Sequence, residues 1–243
     1  MKTTTNNSQK TKKIVIIGLF TALAFVVSAV LPIKVAFLTL DFKDAISTIC
    51  GMFFGPLSGL VCALIVPFIE VTYSGTGVYG LIMNVISSMT LVGISSTIYK
   101  YKKTIWGAVI GLLTAAAATM GLMTLANIII TPHYLDITTG MDLEAARGAV
   151  RGLLPTTIIP FNVVKSILNA SIAMLLYKPI SRMLKKIGLG KNSEVMNSQP
   201  EVAISDEAKR KNKMRSILVT VCSGAITIAA FIIVFLVLGG KFA

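Results

Sequence analysis

Apolar residues in this chain gather into long unbroken runs, and the polar residues between them mark off seven helical segments suited to a bilayer. These are expected at 14–31, 45–54, 57–71, 78–99, 105–130, 153–177 and 216–238. The second and third are short for a span and turn on the Gly55-Pro56 breaker. Residues 33–44 break the pattern. Lys34, Asp41, Lys43 and Asp44 surround an apolar stretch too short to cross, so an external loop folding back over the bundle is expected there. A second polar stretch, 135–151, carries Asp142, Glu144, Arg147 and Arg151 at intervals suited to a short surface helix over 141–151.

The fold class is therefore all-α integral membrane. Residues 1–13 form a cytoplasmic tail, 14–186 a six-helix membrane domain, 187–213 a cytoplasmic linker and 214–243 an additional transmembrane helix. Composition agrees: 54% of the residues are hydrophobic and 14% charged, far from the quarter charged in soluble domains. The net charge of +13 does not signal nucleic acid, because the basic residues sit at span ends: Lys10, Lys12 and Lys13; Lys100, Lys102 and Lys103; Lys178, Arg182, Lys185 and Lys186. Their distribution places the N-terminus in the cytoplasm and, after seven crossings, the C-terminus outside a cell membrane. Cys50, Cys62 and Cys222 stand in apolar runs without metal-ligand spacing and read as small buried hydrophobes.

Candidate chemistry concentrates in 155–169, where Asn162, Lys165 and Asn169 fall at i, i+3 and i+7 on one helical face. A lysine at a bilayer centre costs about 2.5–3.5 kcal/mol on insertion scales. Lys165 thus either meets a partner, cavity or ligand, or snorkels to the nearer interface. Asn84 and the Ser87-Ser88 pair read as helix-packing contacts, and Gly18 with Ala22 forms a small-residue pair that lets another helix approach closely, within the bundle or from a partner. No paired carboxylates, HExxH or GxSxG motif lies in a span, so a membrane-embedded enzyme lacks its parts. No cofactor is expected, and Gly188-Leu189-Gly190-Lys191 lacks the spacing of a phosphate loop.

Four signatures together resemble the substrate-binding S components of energy-coupling factor (ECF) vitamin transporters, above all the riboflavin-specific ones: Leu38-Thr39-Leu40-Asp41-Phe42 with Asp44; Phe54-Gly55-Pro56-Leu57-Ser58-Gly59; Asn127 to Tyr134; and Leu154-Pro155 to Lys165. The sequence departs from that pattern at Lys43 and Ala45, where a small polar residue and a proline are usual, and at Glu70. The resemblance implies a core that captures riboflavin outside the cell and delivers it through a membrane coupling protein driven by two ATPases. It implies flavin contacts at Asn127, Asn162 and Lys165 and a covering loop with Leu40 and Asp41, with Tyr134 in the third signature counted among the candidate contacts; Phe161 can add apolar or stacking contact, and the small-residue surface of Gly18 and Ala22 is the expected docking face for the coupling protein. Asn amides suit a pyrimidine edge that both donates and accepts, and Lys165 can donate to a carbonyl or hydroxyl. The alternatives are an S component for a different vitamin or small metabolite and an accessory membrane subunit without a ligand.

Overall fold

The computed structural model describes the backbone of residues 2–35 and 38–186 and, toward the C-terminus, residues 214, 217–219, 221–229 and 232. In chain order come α1 (Lys2–Val30), β1 (Ile33–Val35), β2 (Leu38–Leu40), α2 (Lys43–Phe54), α3 (Pro56–Glu70), α4 (Gly77–Tyr101), α5 (Ile105–Thr139), α6 (Leu143–Leu153) and α7 (Ile159–Lys186). One turn of π-helix, Leu154–Ile158, joins α6 to α7. Four helical stretches among the described residues are long and apolar enough to cross a membrane: Thr11–Val30, Gly77–Tyr101, Ile105–Thr139 and Leu143–Leu184.

The short helices α2 and α3 have 12 and 15 residues, about 18 Å and 22 Å of rise against a hydrocarbon core of about 30 Å. They differ in placement. Residues Lys43 to Met52 of α2 are all buried, whereas α3 exposes Leu57, Leu64, Ile65 and Phe68 on its outer face. The inner helix is enclosed by α1, α3, α4 and α7, so it can carry polar residues that a lipid-facing helix could not. Gly55 between them takes φ 100°, which glycine alone adopts readily, and Pro56 opens α3 where its missing N–H costs nothing. The two helices touch at Gly51 and Gly59, where a Cβ added to Gly59 would lie 2.6 Å from the Gly51 Cα.

Several boundaries move from where the pattern of residues put them. Within the loop expected over 33–44, β1 and β2 pair antiparallel with Lys34 opposite Thr39, a small hairpin that forms the one sheet among the described residues. Lys43 and Asp44 belong to the first turn of α2 and are buried, because each finds a polar partner inside the bundle. The fifth helix continues beyond 130. Pro132 removes only one ladder donor, and the helix stops at Gly140, whose φ of 67° ends it in the left-handed conformation. The helix in 141–151 appears as α6, capped by the Asp142 carboxylate, which accepts from the Glu144 N–H at 3.1 Å.

The linker expected at 187–213 lies outside the described residues, as does part of the final span. Helical residues 217–219 and 221–229 are described, and the buried Ser223 hydroxyl donates to the Ser171 carbonyl of α7 at 2.7 Å.

Candidate substrate-binding site

A cavity opens at the hairpin end of the bundle, with about 660 Å³ of space when its open mouth is counted. Helical periodicity builds its walls. Tyr79, Met83, Asn84 and Ser87 face it from α4; Met123, Asn127, Thr131 and Tyr134 from α5; Phe161, Asn162 and Lys165 from α7; Leu38 and Thr39 from β2. The Tyr79 and Tyr134 rings meet at 6.1 Å, tilted by 60°, beside this space.

The α7 wall follows from local chain chemistry. Pro155 and Pro160 carry no N–H, so regular α-helix bonding is broken twice in the turns before the site, and the chain widens into π-helix at Leu154–Ile158. Just beyond it, Asn162 Nδ2 donates to the Ile158 carbonyl at 2.8 Å, which fixes the amide's direction. On α5, Asn127 Nδ2 donates to Met123 O at 2.7 Å and Oδ1 accepts from the Thr131 hydroxyl at 2.9 Å. Each of these amides keeps a second N–H and an acceptor lone pair for a ligand.

Lys165 is 7% exposed and does not snorkel. Its Nζ lies 2.9 Å from Asp41 Oδ2 and donates to the Thr39 carbonyl of β2 at 3.2 Å. An ammonium has three donors, so one is left for the cavity. The same Asp41 oxygen accepts from Lys43 at 3.0 Å, and Lys43 also reaches Glu70 Oε2 at 2.7 Å. Burial pushes the Asp41 carboxyl upward, but the ammoniums of Lys165 and Lys43 outweigh it and hold the pKa down to about 2. Asn169, one helical turn beyond Lys165, grips the chain where the hairpin runs into α2. Its Nδ2 donates to Asp41 O at 2.9 Å, and its Oδ1 accepts the Ala45 N–H at 3.0 Å. A proline at position 45 would have no such N–H to give.

Of the residues singled out in the sequence, Asn127, Tyr134, Phe161, Asn162 and Lys165 come together around this one cavity. Leu40 and Asp41 stand behind its wall: Leu40 packs with Phe42, Phe161 and Leu168, and Asp41 bonds the two lysines. The α4 wall is the part that sequence reasoning assigned to helix packing. Ser88 does pack, donating to Asp44 Oδ1, but Asn84 and Ser87 line the cavity. The spacing of Gly80, Asn84 and Ser87 along one face of α4, in line with Thr76 at its N-cap, is the sequence signal that could have identified this wall. Gly18 and Ala22 lie exposed on α1, whereas Ala24 and Ser28 turn into the bundle.

Comparison with known proteins agrees with this architecture. The chain is 27% identical over 185 residues to the riboflavin transporter RibU of Staphylococcus aureus (strain TCH60), covering 74% of this chain and 96% of that protein. It is 26% identical over 175 residues to the riboflavin transporter FmnP of Bacillus subtilis (strain 168), covering 69% of this chain and 91% of the relative. A solved S component of a bacterial ECF transporter superimposes with a TM-score of 0.58 at 27% identity, covering 72% of this chain and 99% of that one. Residues 12–177 match the family model described as ECF transporter, substrate-specific component; with its several membrane-crossing helices, this multi-pass membrane protein belongs to that family.

Proposed function

We propose that the chain captures riboflavin from outside the cell and releases it inward through an ATP-driven coupling module of the ECF type. The observation that carries this reading is the cavity itself. Asn127 and Asn162 offer both donors and acceptors, Lys165 offers a cationic donor, and Phe161, Tyr79 and Tyr134 offer aromatic surface for a flat ring system. The names of RibU and FmnP support a flavin as the ligand.

In this reading the hairpin end faces outward, and the clusters at Lys12 and Lys13 and at Lys100, Lys102 and Lys103 face the cytoplasm. The exposed Gly18 and Ala22 form the face that docks the membrane coupling protein, which in turn is driven by two ATPases. With an odd number of crossings the C-terminus is external.

The test is purification in detergent, followed by the absorbance of whatever co-purifies and by titration with riboflavin, read as quenching of flavin fluorescence. Saturable quenching is the expected result. Protein that is monodisperse, ignores flavin and binds another vitamin retains the transporter class and overturns the substrate; binding of no ligand favours an accessory subunit.

A further inference from the structure

The charged groups beside the cavity end on a residue that its neighbours leave with one defined polarity. Asn84 Nδ2 lies 3.3 Å from Glu70 Oε2, and the same carboxylate oxygen is held by Lys43 at 2.7 Å. A carboxylate ion-paired to lysine only accepts, so the amide of Asn84 must turn its NH2 toward Glu70. Its carbonyl Oδ1 is then left on the other side. Asn84 is half-buried and lines the cavity from α4, as Asn127 does from α5 and Asn162 from α7. Among the described residues no donor is paired with its Oδ1. The order Asn84–Glu70–Lys43–Asp41–Lys165 thus connects two cavity walls through buried groups, and each link fixes the direction of the next.

We propose that Asn84 is a ligand-recognising residue that accepts a hydrogen bond from an N–H or O–H of the substrate, and that Glu70 is the positioning residue that sets its polarity. This rests on the flavin reading above. Riboflavin carries two kinds of such donor: the ring N–H of its pyrimidine edge and the hydroxyls of its side chain. Asn127 and Asn162 each donate to a carbonyl of their own helix, whereas Asn84 is oriented from another helix. Its orientation therefore depends on a residue outside the cavity. A glutamine at position 70 could offer either its carbonyl or its NH2, so the constraint on Asn84 would lapse while shape is kept.

The experiment titrates three ligands into the detergent-purified full chain: riboflavin, its N3-methyl derivative, which lacks the ring N–H, and lumiflavin, which lacks the hydroxylated chain. In Asn84→Leu, riboflavin affinity should fall about ten- to hundredfold, while the analogue missing the relevant donor changes by less than about twofold. Which analogue is spared identifies the donor. Glu70→Gln, nearly isosteric, should narrow the same selectivity in the same direction by a smaller factor, even if Asn84→Leu does not fold. Equal weakening of all three ligands, or unchanged riboflavin binding in Asn84→Leu, overturns the role of Asn84. Unchanged selectivity in Glu70→Gln overturns the positioning role. An unmutated protein that binds no flavin overturns the flavin reading itself, a result separable from both.

Discussion

Lys43 Nζ lies 2.7 Å from Glu70 Oε2, tying the first turn of α2 to the last residue of α3. Both positions stand out in the sequence as departures from the resemblance, and in the structure they meet each other. Lys43 is 1% exposed, so its charge is tolerated only because Glu70 and Asp41 both accept from it.

Removing Lys43 leaves the buried Glu70 carboxylate with the Asn84 amide alone among its described partners, whereas removing the Glu70 charge still leaves Lys43 paired with Asp41. Lys43→Met and Glu70→Gln are each expected to destabilise the protein, Lys43→Met by about 3–5 kcal/mol. The double variant should cost clearly less than the sum of the two, since both changes break one interaction. Thermal unfolding in detergent measures this; strictly additive effects would show the two residues to be independent.

Asn169 serves the hairpin rather than the cavity. Asn169→Leu leaves the Ala45 N–H and the Asp41 carbonyl without partners, at about 1–3 kcal/mol for each buried group. The local consequence is freer motion where β2 runs into α2. Hydrogen exchange at Ala45 and proteolysis within 31–42 should both accelerate, with cleavage elsewhere unchanged; equal cleavage rates in the variant and the unmutated protein would refute the fastening role.

What the sequence discloses depends on how far apart the interacting residues lie. The penalty for a lysine among apolar residues already requires Lys165 to have company, and the i, i+3, i+7 spacing places Asn162 and Asn169 beside it. Its partner Asp41 is 124 positions away, which no local pattern reveals. The hairpin escapes notice for a similar reason: three-residue strands offer too few positions to show alternation. Pro132 suggests a helix end, but a proline disrupts only its own turn, and the true stop at Gly140 needs a left-handed residue. The inward face of α4 goes unread because serine and asparagine serve equally well as packing groups and as ligand contacts.

Two helical glycines, one at a helix contact and one on the exposed face of α1, should answer substitution in opposite ways. A Cβ on Gly59 would meet the Gly51 backbone, which cannot rotate aside, so Gly59→Ala should force α2 and α3 apart at about 1–3 kcal/mol. At Gly18 the same Cβ meets nothing within 4 Å. Gly18→Leu with Ala22→Leu should leave unfolding and flavin binding within about 0.5 kcal/mol of the unmutated protein, yet block co-purification of the coupling protein. Undiminished co-purification would place the docking face elsewhere.

Lys165→Met and Asn162→Leu both take polar groups out of the cavity, but the network around them makes their effects separable. In the proposed flavin site each would lose a contact to the ligand, and for the charged donor of Lys165 the expected loss is about 1.5–3 kcal/mol, or roughly ten- to a hundredfold in affinity. Among the described residues Asn162 otherwise bonds only the Ile158 carbonyl, one turn back along the chain, so Asn162→Leu should weaken equilibrium binding and leave the hairpin as it was. Lys165 also holds Thr39 O and Asp41 Oδ2, so Lys165→Met should weaken binding and, in the ligand-free protein, speed proteolysis of the hairpin. Fluorescence titration and limited proteolysis on the same preparations distinguish the two. Lys165→Met with unaltered riboflavin affinity would make Lys165 purely a tether for the hairpin, with its third donor unused by the ligand.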